Sequence, residues 1–423
     1  MKPGKREYNR QEHAHADRAR ESSVERGVKL KEKLWTKDFV LLSLANLFQF
    51  FGFQMLVPTL PVYVTQHGGN QTDVGLITGI FTIFALLIRP FTGAALDWTG
   101  RKRVLVVGLL LNLCAIVSYG IAPSVLSILL TRILHGVGWG ISTTAYGTIA
   151  SDLIPPSRRG EGMGYFGFSS TLAMAVAPLM GIGILNRFGF GLLFPIAAAS
   201  TLLSLALTQL VRIPALPENG ATVGTKPFWA GLFERKALFP SFLVIFVTFT
   251  YGGLVSFLPL FGNEIGIANI GWFFTVNALF LLVVRPVAGI LFDRKGPFWV
   301  LMPGAWFGMA GLLVLSYAST LGGLVLAAML YGIAFGAIQP TLQAWLIQRV
   351  PPQKRGSATA TFFSAFDLGI GSGAMLLGPI AGLTSFAVMY RLTALCFVVF
   401  LLVYLGYAAA KNLPSRSSKK LRT

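Results

Sequence analysis

Runs of about twenty residues with no acidic or basic side chain recur along this chain, and each is long enough for a helix to cross a bilayer. Val104–Ile121, Leu192–Val211, Trp299–Leu315 and Leu392–Ala410 are four of them. Charged residues make up only 12% of the sequence, against about 25% in an average soluble domain. A water-soluble fold of 423 residues has no interior able to hide this much apolar surface. Spacing of the runs predicts helices at 38–64, 74–96, 103–121, 124–148, 161–185, 189–211, 238–262, 270–292, 298–317, 321–346, 357–383 and 387–409. The first run is too long for a signal-peptide core and lacks a small-residue cleavage site, so it is expected to remain as a helix. Cys114 and Cys396 fall inside apolar runs and read as small buried hydrophobes.

A net charge of +19 would suit a nucleic-acid partner, but its placement argues against one. Basic residues occupy alternate gaps between the runs: Arg101, Lys102 and Arg103; Arg158 and Arg159; Lys226, Arg235 and Lys236; Arg294 and Lys295; Lys354 and Arg355. The intervening gaps offer little beyond Arg187 and Arg391. Lysine and arginine accumulate on the cytoplasmic side of membrane proteins. The basic gaps and both basic ends of the chain are therefore expected inside, which requires an even number of spans. The expected organisation is a cytoplasmic tail at 1–36, a six-helix bundle at 37–211, a cytoplasmic linker at 212–236, a second bundle at 237–410 and a tail at 411–423. His13 and His15 in the first tail read as solvated residues beside an anionic leaflet rather than as a metal site.

The two halves repeat one another. Arg89, Pro90, Gly93, Asp97 and Gly100 recur as Arg285, Pro286, Gly289, Asp293 and Gly296, all offset by 196 positions. The same offset carries Pro155, Pro156, Arg159 and Gly160 onto Pro351, Pro352, Arg355 and Gly356. Two motifs at one offset indicate parallel six-helix repeats, which place a substrate path between the halves near the bilayer midplane.

At these residues the chain resembles the major facilitator superfamily. That family's loop between helices 2 and 3 carries G-x-x-x-D-x-x-G-R-[KR], matched here by Gly93, Asp97, Gly100, Arg101 and Lys102. Gly289 and Asp293 form a partial second copy. The resemblance implies an all-α membrane protein, twelve transmembrane helices in two pseudo-symmetric bundles. It further implies that Asp97 faces the positive N-terminal end of helix 11 and latches the halves together. Arg101 and Lys102 are expected to add ion-pair and lipid-headgroup contacts. Arg132, His135, Gly136 and Gly138 resemble the R-x-x-x-G-x-G pattern of proton-coupled exporters, whose arginine is implicated in coupling. Ala177, Pro178 and Gly181 in helix 5 depart from the antiporter pattern G-x-x-x-G-P-x-x-G-G by replacing glycine with alanine, which still permits close helix packing. Gly378 and Pro379 in helix 11 are similar.

Ionisable groups inside predicted spans are costly and point to function. Arg89 lies about 12 Å from the basic end and Asp367 about 16 Å, at 1.5 Å per helical residue. In the family helix 2 lies against helix 11, so the two are candidates for an ion pair between halves that protonation of Asp367 would weaken. Arg285 is the repeat equivalent of Arg89, while Thr171 stands where Asp367 would have its counterpart. Arg285 is therefore expected to lack an acid and to attract an anion. Asn46, Gln49, Gln54, Tyr146, Asn277, Gln339 and Gln343 are candidates for polar lining of the cavity.

No metal cluster, nucleophile–base pair or phosphate-binding glycine loop is visible, so neither an enzyme nor a cofactor is expected and a proton gradient would supply the energy. The expected function is proton-coupled export of a small anionic, zwitterionic or neutral metabolite or drug. Uptake of a small polar solute on the same fold is the alternative. The expected partners are substrate, protons and the lipid bilayer, for a monomer with both termini on the cytoplasmic side of a bacterial plasma membrane.

Overall fold

The computed structural model describes residues 33–69, 71–213, 233–267 and 271–412. The proposed tail at 1–36 up to position 32, linker positions 214–232 and tail positions 413–423 lie outside them. Among the described residues there are twelve helices long and apolar enough to cross a membrane. In chain order they are α1 Lys37–Gln66, α2 Gln71–Trp98, α3 Arg101–Tyr119, α4 Val125–Leu153, α5 Arg159–Phe188 and α6 Phe190–Leu210. The second set is α7 Leu238–Glu264, α8 Gly271–Lys295, α9 Phe298–Ser316, α10 Leu321–Gln348, α11 Arg355–Leu383 and α12 Phe386–Asn412. Each expected span falls on one helix, within a few residues at each end.

Local chemistry sets the helix limits. Thr36 caps α1 by accepting from the Phe39 amide at 3.2 Å, and Thr320 caps α10 by accepting from Gly323 at 3.3 Å. Such caps satisfy amides that have no partner within the first turn. Gly100 and Gly296, repeat equivalents, have φ of 100° and 82°. They end α2 and α8 in a conformation that a side chain would resist. Single 3-10 turns at Pro156–Arg158 and Pro352–Lys354 introduce α5 and α11.

Packing follows the repeat. Within the first half α1 packs on α5 and α6, α2 on α4, and α3 on α4 and α6. The second half reproduces every one of these pairs: α7 on α11 and α12, α8 on α10, and α9 on α10 and α12. Each half has its own apolar core. Met55, Leu56, Ile116, Tyr119 and Phe194 are among the first, and Tyr331, Phe335, Phe397 and Phe400 among the second. Across the halves the main contacts are α2 with α11 and α5 with α8, again a symmetric pair.

The cysteines depart from expectation. Cys114 is exposed and Cys396 only partly buried. They sit in apolar runs because the outside of a membrane bundle is apolar too, so hydrophobicity there does not imply burial.

Candidate functional site

Close approach of the halves depends on missing side chains. A Cβ on Gly93 would stand 2.5 Å from that of Ala360 and 2.9 Å from the Gly356 carbonyl oxygen. One on Gly289 would stand 2.2 Å from the Gly160 carbonyl oxygen. Backbone therefore meets backbone at both crossings, and the acids one turn on reach the opposing helix ends. Asp97 accepts from the Gly356 and Ser357 amides, each at 2.9 Å, and from Ser357 Oγ at 2.7 Å. Asp293 accepts from the Gly160 and Glu161 amides at 2.8 and 2.9 Å. Each carboxylate thus meets the first free amides of a helix, where the dipole favours negative charge.

The two crossings differ in what backs the acid. Arg101 is 3% exposed. It pairs with Asp97 at 2.8 Å and Asp152 at 3.0 Å, and also donates to the carbonyls of Pro352 and Leu96. Arg355 completes the group by donating to Asp152 at 2.8 Å and to the Ser151 carbonyl at 3.0 Å. On the other side Arg159, the equivalent of Arg355, donates to the carbonyl of Ile347, the equivalent of Ser151, at 3.0 Å. There Gln348 replaces Asp152 and Pro297 replaces Arg101, and the ion pair beside Asp293 is instead Arg158 with Glu161 at 2.6 Å, both partly exposed.

This geometry corrects the lipid-headgroup contact expected of Arg101. Arg101 is enclosed by protein. Lys102 Nζ donates to the carbonyls of Gln209 at 2.7 Å and Val211 at 3.3 Å, capping the end of α6 within its own half. Asp152, Arg159, Arg355 and Ser357 went unrecognised as interface residues. Recurrence of Arg159 as Arg355 at offset 196 was the available signal.

About two to three turns deeper, Arg89 and Asp367 form the inter-half pair, with Nε to Oδ2 at 2.8 Å and side chains 3% and 14% exposed. Thr143 and Thr144 on α4 accept from Arg89 Nη1 at 2.9 and 3.1 Å, and the Phe363 ring lies 5.0 Å from the guanidinium carbon. Arg89 is thereby aimed by its own half and neutralised by the other.

Arg285 occupies the equivalent place with no acid on it among the described residues, and a carbonyl and an amide meet it instead. Its guanidinium donates to the Gly167 carbonyl across the interface and to Gln339 Oε1 at 3.1 Å. Gln339 in turn approaches Gln343 at 3.5 Å. Thr171, where an acid would stand, turns its hydroxyl onto the same Gly167 carbonyl at 3.0 Å. Among the described residues Arg285 Nε, Gln343 Nε2 and Gln49 Oε1 have no hydrogen-bond partner. Arg285 and Gln343, the latter beside Gly147 of the first half, thus bring a positive charge and an idle amide to the interface, while Gln49 is buried on α1.

The other lining candidates are dispersed. Asn46 donates to Ser169 at 2.8 Å and Asn277 to the Ala328 carbonyl at 3.4 Å, each tying two helices of one half. Gln54 is partly buried. Tyr146 does not reach the cavity: it is fully buried, with its hydroxyl against Ser204 at 2.7 Å and Thr208 at 3.1 Å on α6. Tyr146→Phe is expected to cost stability about 1–2 kcal/mol and leave the KM for transport unchanged, as thermal unfolding and uptake kinetics will check.

Arg132 and His135 lie further from the basic end in an aromatic box. Arg132 is over the Phe81 ring at 5.0 Å. His135 Nδ1 is 3.2 Å from the Tyr119 hydroxyl, and its ring stands edge-on to Phe53 and Phe81. Arg132 Nε and Nη1 and His135 Nε2 have no partner among the described residues. The packing motif residues hold α5 to α1 and α11 to α7. Ala177 is buried, a Cβ on Gly181 would meet the Met55 carbonyl oxygen at 2.6 Å, and one on Gly378 would meet the Phe257 ring at 3.2 Å. Pro178 and Pro379 lie inside their helices.

A sequence profile described as Major Facilitator Superfamily matches residues 42–374 and 241–422. The staphylopine export protein of Staphylococcus aureus is 25% identical, over 86% of this chain and 94% of its own. The multidrug resistance protein MdtG of Escherichia fergusonii is 25% identical, over 88% of this chain and 94% of its own. The crystal structure of the transporter FucP in the outward conformation superposes with a TM-score of 0.73 at 17% identity, over 88% of this chain and 99% of that one.

Proposed function

The chain belongs to the major facilitator superfamily of membrane transporters, and on that premise we propose that it exports a small anionic, zwitterionic or neutral metabolite or drug in exchange for protons. The observation that carries this reading is the buried Arg89–Asp367 pair joining the halves at 2.8 Å. A carboxylate that binds the opposite half only while ionised makes the closure of that end depend on a proton. The inter-half hydrogen bonds described above lie towards the basic end. We place that end in the cytoplasm of a bacterial plasma membrane by the charge rule, so this arrangement faces outward.

The cycle follows from the sign of the pair. A proton arriving from outside neutralises Asp367, weakens its hold on Arg89 and allows the cytoplasmic end to open. Release of that proton inside restores the charge, and the pair favours closure with substrate aboard. Proton and substrate then travel on opposite legs, which is antiport. Arg285, Gln339 and Gln343 supply one positive charge and amide groups for the cargo, a set suited to a carboxylate or other polar anion and poorly suited to a lipophilic cation. The staphylopine export protein among the relatives supports the same direction.

Proteoliposomes with an imposed pH gradient, screened over a metabolite and drug panel, test this reading. Substrate is expected to move against the proton flow. Counterflow indifferent to pH would remove proton coupling and favour facilitated uptake.

A further inference from the structure

A groove of about 670 Å³ lies where α2 of one half meets α7 and α11 of the other. Leu87 and Phe91 on α2, Phe242 on α7 and Leu368 on α11 form much of its wall, and each is more than a third exposed. Two hydroxyls interrupt this apolar lining. Ser241 and Ser364 border the groove, and neither Oγ has a hydrogen-bond partner among the described residues. Ser241 is only 3% exposed. On the same helices Thr248, Thr250, Thr361 and Ser372 all donate to a carbonyl about one turn back, the usual way for a hydroxyl to be satisfied on a membrane helix. Both hydroxyls are enclosed as well as idle, and rotation about χ1 to another staggered well is what would bring them to an acceptor in the groove.

The repeat shows that the groove is not a by-product of the fold. At offset 196, Ser364 corresponds to Phe168 and Thr361 to Tyr165. Tyr165 packs against Trp35 with ring centroids 4.7 Å apart. The first half therefore places rings where the second places hydroxyls. Charge at the mouth gives the polarity of the occupant. Arg235 and Lys236, both exposed, lie between the groove residues Phe233 and Leu238. Glu234 beside them is already paired with Lys354 at 2.8 Å.

We propose that this groove binds one anionic phospholipid. Its phosphate meets Arg235 and Lys236, its acyl chain follows the apolar wall, and an ester oxygen accepts from Ser241 and Ser364. Because the wall is shared by both halves and includes the neighbours of Asp367, the lipid favours the arrangement in which α2 lies against α11. The inference depends on the chain being in a membrane, and not on cargo, direction or proton coupling.

Native mass spectrometry of the purified full chain titrated with phosphatidylglycerol or phosphatidylcholine tests it without a transport assay. One phosphatidylglycerol is expected to be retained roughly tenfold more strongly than phosphatidylcholine, from two basic side chains at the mouth. Ser241→Ala with Ser364→Ala, which removes only the hydroxyls, is expected to weaken retention by about tenfold. Ser364→Phe, which copies the ring of the first half, is expected to abolish it. Arg235→Gln with Lys236→Gln should equalise the two lipids. Equal retention of both lipids by the unaltered chain, or undiminished phosphatidylglycerol in both serine variants, would overturn the proposal.

Discussion

Reversing either charge of the Arg89–Asp367 pair will abolish transport, and reversing both together will restore part of it. The pair is nearly enclosed, at 3% and 14% exposure, and stranding one member of a buried pair costs about 3–5 kcal/mol. A cost of that size is roughly a hundredfold or more in the balance between two arrangements, at 1.4 kcal/mol per tenfold. Arg89→Asp leaves Asp367 facing a like charge, and Asp367→Arg does the same to Arg89. Both variants hold the basic end apart. The exchange brings opposite charges together again but removes the guanidinium aimed by Thr143 and Thr144, so recovery of about a tenth of the original rate is expected, within the range of partial compensation by coupled residues. Initial rates in proteoliposomes at matched protein content check this. If each single reversal and the exchange are equally dead, the pair does not govern the cycle. A neutral Asp367→Asn variant should still exchange substrate with substrate while losing its response to an imposed pH gradient.

Much of this architecture was legible because water and hydrocarbon sort residues strongly. Charge-free runs gave the spans, and the offset of 196 gave the duplication. That same offset located both glycine crossings and both latch acids. It also pointed to the break in symmetry at Asp367 and Thr171, and helix spacing put Arg89 and Asp367 at comparable depth.

What stayed hidden was rotation about each helix axis. A membrane helix is apolar nearly all round, so hydrophobicity does not say which face meets a partner. Tyr146 illustrates the loss. Thr144 faces Arg89, and a residue two positions on is turned by about 200° at 3.6 residues per turn. Tyr146 is consequently directed at α6, not at the cavity. The same ignorance concealed Asp152, whose contacts with Arg101 and Arg355 depend on how α4 presents its end. Arg285 has no acid partner among the described residues, as its repeat position suggested. Backbone carbonyls were the alternative partners for it, and helix α5 brings the Gly167 carbonyl onto the guanidinium.

The unequal backing of the two latches predicts unequal effects. Asp97→Asn will open the basic end far more than Asp293→Asn. Asp97 holds three inter-half hydrogen bonds and is the charge partner of enclosed Arg101, which also grips Asp152 and the Pro352 carbonyl. Neutralising it weakens charge-assisted bonds worth about 1.5–3 kcal/mol each and leaves Arg101 with one acid in place of two. Asp293 meets two backbone amides across the halves, and the arginine near it is Arg158, which is partly exposed and already paired with Glu161 at 2.6 Å, in place of an enclosed one. Opening can be read from Thr359→Cys, a fully buried site beside Gly147, in a background with Cys114→Ser and Cys396→Ala. Thiol labelling at this position should accelerate about a hundredfold with Asp97→Asn and about tenfold with Asp293→Asn, taking roughly 3 and 1.5 kcal/mol at 1.4 kcal/mol per tenfold. Equal acceleration by the two variants would show that the arginine-backed network adds nothing to closure. No acceleration by either would show that the amide contacts do not hold the halves together.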